Sequence, residues 1–178
     1  MSKITLRPYQ LSDIDDFMQW ACNSEVLEYI PLQFWIKVNS SREEVVSYFK
    51  EVVINHPWYQ AICLDGRPIG YIVLETQAGK FGVDRGRAQL SYALGREHWG
   101  RGITPIALRM ALSSAFQKLT NLVRIQAFVD LENKASERVL QKVGFSKEGV
   151  LRQYAVVVDG EGIDLIIYSI ISTDPILN

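Results

Sequence analysis

The run Tyr92-Ala-Leu-Gly-Arg-Glu-His-Trp-Gly-Arg-Gly-Ile-Thr104 sets Gly100 and Gly102 on either side of Arg101. Residues before it alternate as a strand does, and residues after Thr104 recur at helical spacing. A strand that turns over glycines into a helix presents consecutive backbone N–H groups and the positive end of the helix dipole. Alternate glycines let the main chain approach a ligand without Cβ interference. Arg101 adds a full positive charge. The turn is therefore an anion cradle that would suit a pyrophosphate, and a plain tight turn is the other reading of a lone G-x-G. It is not a P-loop, because no Gly-Lys-Ser/Thr follows. The dinucleotide fingerprint would need a third glycine where Pro105 stands, and no acidic partner follows a suitable second strand.

A second strand-to-helix turn carries Asn133-Lys-Ala-Ser136, with Gly144-Phe145 at the far end of its helix. Asn133 alone reads as a helix cap. In a parallel crossover both strand ends open to one edge of the sheet, so the two turns are expected side by side. Together they make a cleft with an anion cradle on one wall and the Ser136 hydroxyl on the other. Glu25, Glu28 and Asp164 are candidate bases, each with a solvated surface charge as its alternative. His56 and His98 adjoin Pro57 and Trp99 and show no carboxylate to orient them. Cys22 and Cys63 are too few for a disulfide framework or a thiolate metal site, and read as small, buried, reduced side chains. No metal site is expected.

These turns must be held by ordered elements. A strand is expected over Ile4–Tyr9, then a helix capped by Ser12 and running to Cys22, then a short helix capped by Ser24 and ended by Pro31. Ser40 or Ser41, with Glu43 or Glu44, forms a capping box for a helix carrying Val45, Val46, Phe49, Val52 and Val53. Tyr59–Leu64 and Ile69–Glu75 form a hairpin around Asp65-Gly66. A loop follows over Thr76–Arg87, then strand Ala88–Leu94. The helix Thr104–Leu119 should bury Ile106, Ala107, Met110, Ala111, Ser114 and Ala115, with Pro105 in its first turn. Strand Leu122–Val129, helix Lys134–Val143 with Gly144 as its stop, and a hairpin of Tyr154–Val158 with Ile163–Ile171 complete the order. The fold class is α+β, a mixed α/β arrangement with a mostly antiparallel sheet. Its exception is a right-handed parallel crossover from Ala88 to Val129.

The 178 residues suit one domain, 1–178, with one self-sufficient core. Apolar residues are 48% and charged residues 22%, an ordinary globular mix. A net charge of −1 gives no general attraction to nucleic acid or an acidic membrane, and no apolar run reaches the roughly 18 residues of a membrane helix. The N-terminus lacks the apolar stretch of a secretion signal. A reducing compartment follows, cytoplasmic or nuclear.

The conjunction of Trp99-Gly-Arg-Gly-Ile-Thr104, Asn133-Lys-Ala-Ser136 and Val143-Gly-Phe145-x-x-Glu-Gly149 resembles the GNAT acetyltransferase superfamily, in particular its ribosomal-protein N-terminal acetyltransferase branch. The resemblance runs from Leu6-Arg7-Pro8 to Tyr168, nearly the whole chain. It implies a GNAT-like sheet with a central, splayed parallel pair and flanking helices, binding acetyl-CoA without a metal. Trp99, Gly100, Arg101, Gly102, Ile103 and Thr104 would hold the pyrophosphate. The pantetheine arm would pair with Tyr92, Ala93 and Leu94 and touch Asn133, with Ser136 near the sulfur. Glu97 stands where the family often has Gln or Arg; either the adjacent Arg96 substitutes, or the loop relies on Arg101 and backbone alone. The reaction implied is direct transfer of acetyl to an amine in a ternary complex. The Leu94 N–H would serve the developing oxyanion and Ser136 the leaving thiolate, with Tyr92 or Tyr168 in reserve and Glu28 a candidate base.

The acceptor follows from basicity. An α-amine titrates near 7.7–8.0 and a lysine near 10.4, so neutralising them at pH 7 costs about 1 and about 4–5 kcal/mol. A site without an evident strong base suits a protein or peptide N-terminal α-amine. A polyamine or other small amine is the alternative, for which Trp20, Glu25, Glu28, Phe34 and Trp35 could line a pocket. A non-catalytic acyl-CoA-binding module is the third reading. Phe34 and Trp35 either fold back on the core or anchor a partner. Both monomer and homodimer stay open.

Overall fold

A computed structural model describes residues 3–29, 36–76, 86–156 and 160–177. The strands are hydrogen-bonded in the order β1-β2-β3-β4-β5-β7-β6, numbered along the chain. The chain divides into two compact units, residues 1–74 with 91–107, and residues 75–90 with 108–178.

In the first unit, β1 (Ile4–Pro8) pairs antiparallel with β2 (Tyr59–Leu64), and β2 with β3 (Arg67–Thr76). Asp65 and Gly66 turn the hairpin with φ of 51° and 87°, the left-handed pair that a two-residue loop requires. Helices α1 (Ile14–Ala21) and α3 (Arg42–Tyr48) bring Phe17, Trp20 and Tyr48 to an aromatic core, and α2 (Ser24–Leu27) adds Val26 and Leu27. Tyr9, Phe17 and Phe49 meet edge to face with centroids 5.0–5.9 Å apart. Phe17 is fully buried, which contributes about 2–3 kcal/mol. The Tyr9 hydroxyl donates to the Gly70 carbonyl at 2.7 Å, and the Tyr48 and Tyr59 hydroxyls meet at 3.1 Å, whereas the buried Trp20 indole N–H has no hydrogen-bond partner among the described residues. Arg7 grips Asp13 with two bonds of 2.7 and 2.9 Å, joining β1 to the turn before α1.

Two helix starts differ from the sequence reading, and a third settles between its alternatives. Asp13, not Ser12, stands at the N-cap position of α1, because Leu11–Asp13 forms a separate 3-10 turn, and its carboxylate accepts from Arg7 and the Gln10 N–H rather than from the helix. Asn23, not Ser24, caps α2, its side-chain oxygen accepting the N–H of Glu25 and of Val26. Ser41 with Glu44 is the true capping box of α3, while the Ser40 hydroxyl accepts the Lys37 N–H at 2.8 Å. The helix then widens into a π turn over Phe49–Val53, which still buries Phe49 and Val53. Pro31, Phe34, Trp35, most of the loop after Thr76 and residues 157–159 of the last hairpin lie outside the described residues.

In the second unit, β4 (Arg87–Leu94), whose first half belongs here, pairs with β5 (Arg124–Asp130) in parallel. The ladder covers Arg87↔Arg124 to Gln89↔Gln126 and stops, although β4 continues to Leu94 and β5 to Asp130. β5 pairs antiparallel with β7 (Gly162–Ile171) along its full length, and β7 with β6 (Ser146–Val156). The connection from β4 to β5 is α4 (Ile103–Lys118), and α5 (Lys134–Val143) follows β5. Gly144 ends α5 at φ 104°, the left-handed stop its position predicts.

Two expectations are corrected in this unit. Helix α4 buries Ala107, Leu108, Ala111, Leu112 and Ala115, while Ile106 and Met110 are exposed. The buried stripe is thus turned by one residue from the expected one. Strand β6 starts at Ser146, eight residues before the expected Tyr154. Its first half, Ser-Lys-Glu-Gly, has no apolar alternation, and the ladder is interrupted twice. Cys63 is buried as expected, whereas Cys22 is only half-buried; both are free thiols.

Candidate active site

The cradle is built within the first unit. Strand β4 lies so close to β3 that a Cβ on Gly70 would come within 2.4 Å of the Ala93 carbonyl, so only glycine fits there. The Gly95 N–H donates to the Ile69 carbonyl at 2.8 Å. After Leu94 a 3-10 turn, Arg96–His98, leads to Trp99, whose indole N–H donates back to the Leu94 carbonyl at 2.6 Å. Gly100 and Gly102 then take φ of 72° and 74°. A Cβ at either would meet nothing within 4 Å, so the glycines are required by backbone conformation and leave open space beside the chain.

The first turn of α4 holds no acidic residue, and buried Ile103 anchors it. Its N–H groups and dipole therefore keep their positive end, and Arg101 adds charge beside them. Arg101 donates to His98 Nδ1 at 3.1 Å, which requires that nitrogen to be unprotonated. Burial depresses the His98 pKa and the Arg101 charge adds to this, with Glu97 opposing. His98 does have a carboxylate neighbour, Glu97 at 3.4 Å, which sequence reading missed because the two are adjacent. Of the two alternatives for making up for Glu97, Arg96 is engaged elsewhere, pairing with Glu25 and lying 4.9 Å over the Trp99 ring.

The turn before α5, in the second unit, has a different electrostatic character. Asn133 Oδ1 accepts the Ser136 N–H at 3.0 Å, the cap its type suggests. Glu137 puts a carboxylate in the first turn. One of its oxygens accepts from Lys134 Nζ at 2.8 Å and the other from the Tyr168 hydroxyl at 2.8 Å. These bonds, Lys134 first, hold the Glu137 pKa below the ordinary carboxylate value. Burial and Glu137 raise that of Tyr168, which is fully buried and accepts from Gln141 Nε2 at 3.3 Å. Of the two helix N-termini, that of α5 is thus neutralised by its own residues, and that of α4 is left positive.

A family model described as an acetyltransferase (GNAT) domain matches residues 3–146. A Bacillus licheniformis protein described as an uncharacterized N-acetyltransferase, p20, is 32% identical over 97% of this chain and 94% of its own. The chain belongs to the GNAT acetyltransferase family. It is an N-acetyltransferase, and acetyl-CoA is its co-substrate. Mycobacterium smegmatis RimJ, solved in complex with CoA-disulfide, is 26% identical, with a TM-score of 0.74 over 95% of this chain and 82% of that one. A spermidine N-acetyltransferase from Vibrio cholerae, solved with CoA and spermine, shares the fold at 22% identity, with a TM-score of 0.76 over 96% of each chain.

At the start of α4 an open glycine turn, an acid-free helix end and Arg101 come together, an arrangement that can accept an anion. Tyr92 is half-buried, and Ala93 and Leu94 are buried, at the end of β4. Thr104 and Ser136 are half-buried. Glu28 is the exposed residue that follows α2, at its C-cap, and Asp164 accepts the Gln153 N–H at 2.8 Å. No group of three or more His, Cys, Asp or Glu is placed to hold a metal ion among the described residues. No described helix is long and apolar enough to cross a membrane. Sequence reading missed Glu137 because a charged residue in a helix's first turn normally reads as solvated surface, whereas here it is buried under Tyr168.

Proposed function

We propose that the enzyme, acting as one domain over 1–178 in a reducing cytoplasm, acetylates the N-terminal α-amine of a protein or peptide. The observation that carries the choice of acceptor is the commitment of Glu137, the buried carboxylate in the first turn of α5, to Lys134 and Tyr168. Those bonds hold it below its ordinary pKa, so it is a poor proton acceptor, which suits an amine that is partly neutral already. At pH 7 roughly one α-amine in ten is neutral, against about one lysine in a few thousand.

In this reading the glycine turn, Arg101 and the first N–H groups of α4 bind the diphosphate of acetyl-CoA, which supplies an acetyl thioester. Asn133 and the end of β4, Tyr92–Leu94, align the arm. The Leu94 N–H donates to the thioester oxygen as charge gathers there. The acceptor nitrogen forms the new C–N bond as the C–S bond breaks. Its proton leaves through Glu28 or water, and Ser136 donates to the departing sulfur. Tyr168 is not used, because its only hydrogen is committed to Glu137.

The test is CoA release measured over a panel of N-terminal peptides, N-acetylated lysine-containing peptides and polyamines. Turnover confined to unblocked peptide N-termini is expected. Preference for spermidine would replace this reading with a polyamine acetyltransferase. Tight acetyl-CoA binding with no turnover on any amine would leave a binding module.

A further inference from the structure

Trp99 makes one bond that cofactor binding does not call for: its indole N–H lies 2.6 Å from the carbonyl of Leu94, five residues earlier. In a strand the N–H and C=O of one residue point to the same side, and those of the next residue to the other side. The Ala93 carbonyl crowds Gly70 of β3, and the Gly95 N–H donates to Ile69 of β3. Ala93 and Gly95 therefore face β3, and both backbone polar groups of Leu94 face away from it. On that side the indole takes the carbonyl and leaves the N–H.

We infer that Trp99 is a positioning residue that makes the end of β4 a pure hydrogen-bond donor for the reacting carbonyl. A thioester oxygen can only accept. An open Leu94 carbonyl beside the Leu94 N–H would repel that oxygen and recruit water or an amine N–H in its place. Covering it removes the competing acceptor and holds the peptide plane that follows Leu94 at both ends, through Trp99 on one side and Ile69 on the other. The indole is itself held in place. Arg96 lies 4.9 Å over its ring, tied to Glu25 on α2, and the ring remains 39% exposed, so the indole is not locked by general burial. The inference rests on the acetyl-transfer reading, in which the Leu94 N–H serves the oxyanion.

The test is Trp99→Phe, which keeps an aromatic face under Arg96 and removes the N–H together with the second ring. The pyrophosphate contacts assigned to the turn over residues 99–104 are main-chain ones and CoA has no thioester carbonyl, so the CoA dissociation constant, measured by calorimetry, should stay within about twofold of wild type. With saturating acetyl-CoA and peptide, kcat should fall about tenfold, as a misaligned oxyanion donor does. Unchanged kcat would overturn the inference. So would a parallel loss of CoA affinity, which would mean that Trp99 only props up the glycine turn. A measurement on the unmutated chain covers the case in which the variant does not fold. The Trp99 indole proton should be protected from solvent exchange in a 15N-labelled sample and stay protected when CoA is added. Fast exchange would overturn the inference. Wild-type protein that binds no CoA would defeat the acetyl-transfer reading instead, and the indole measurement, needing no cofactor, separates the two failures.

Discussion

Gly66 and Gly102 form a matched pair for testing the cradle. Gly66 has φ 87° and Gly102 φ 74°, and a Cβ at either would meet nothing within 4 Å. Alanine therefore brings the same penalty to both, the left-handed backbone strain of about 1–2 kcal/mol, with no steric clash to confuse it. For a chain of this length that lowers Tm by roughly 2–8 °C. The functional consequences should diverge. Gly66 turns the β2–β3 hairpin, whereas the Gly102 methyl projects into the space assigned to a diphosphate and shifts the N–H groups around it. Losing one charge-assisted hydrogen bond costs about 1.5–3 kcal/mol, roughly ten- to hundredfold in Kd. Thermal melts and CoA calorimetry on both variants decide the matter. Equal loss of stability with weakened CoA binding in Gly102→Ala alone is expected. Wild-type CoA affinity in Gly102→Ala would refute the assignment of the diphosphate to this turn.

Ser136→Ala should lower kcat about tenfold with CoA affinity unchanged, and steady-state kinetics with wild-type kcat would remove the hydroxyl from the chemistry. Tyr168→Phe strips a buried carboxylate of one of its two partners, costing about 1–3 kcal/mol. The melt should drop by roughly 2–10 °C, while Tyr154→Phe, an exposed ring stacked 4.9 Å from Phe128, should barely move it; equal effects would contradict the network. Glu148, held at about 2 by Arg124 and then Ser169 against an ordinary 4.5, stabilises the fold above about pH 4.5. That contribution fades as pH falls from 4.5 through 2, and with Glu148 partly solvated it is no more than about 1 kcal/mol. Acid unfolding of Glu148→Gln should lack this part of the slope; an identical curve would show the pair contributes nothing.

Local chemistry made much of this protein legible in one dimension. The Asp65-Gly66 hairpin, the Ser41–Glu44 capping box, the Gly144 stop and the Asn133 cap depend on neighbours a few residues away, and they stand where expected. The parallel crossover and the glycine turn were equally readable, because a strand, a turn and a helix in succession leave few ways to connect. Long-range contact decided the rest. Which face of α4 is buried depends on what packs there, and Leu108 and Leu112 displaced Ile106 and Met110. The first half of β6 is a strand because β7 offers a partner, not because Ser-Lys-Glu-Gly favours one. The commitment of Tyr168 to Glu137, of Arg96 to Glu25 and of the Trp99 indole to the Leu94 carbonyl arises only once separate segments meet. Residue types and short spacings determined the glycine turn before α4. Tertiary packing decided which polar groups around it are already satisfied, since a hydrogen bond across distant segments leaves no periodic trace in the sequence.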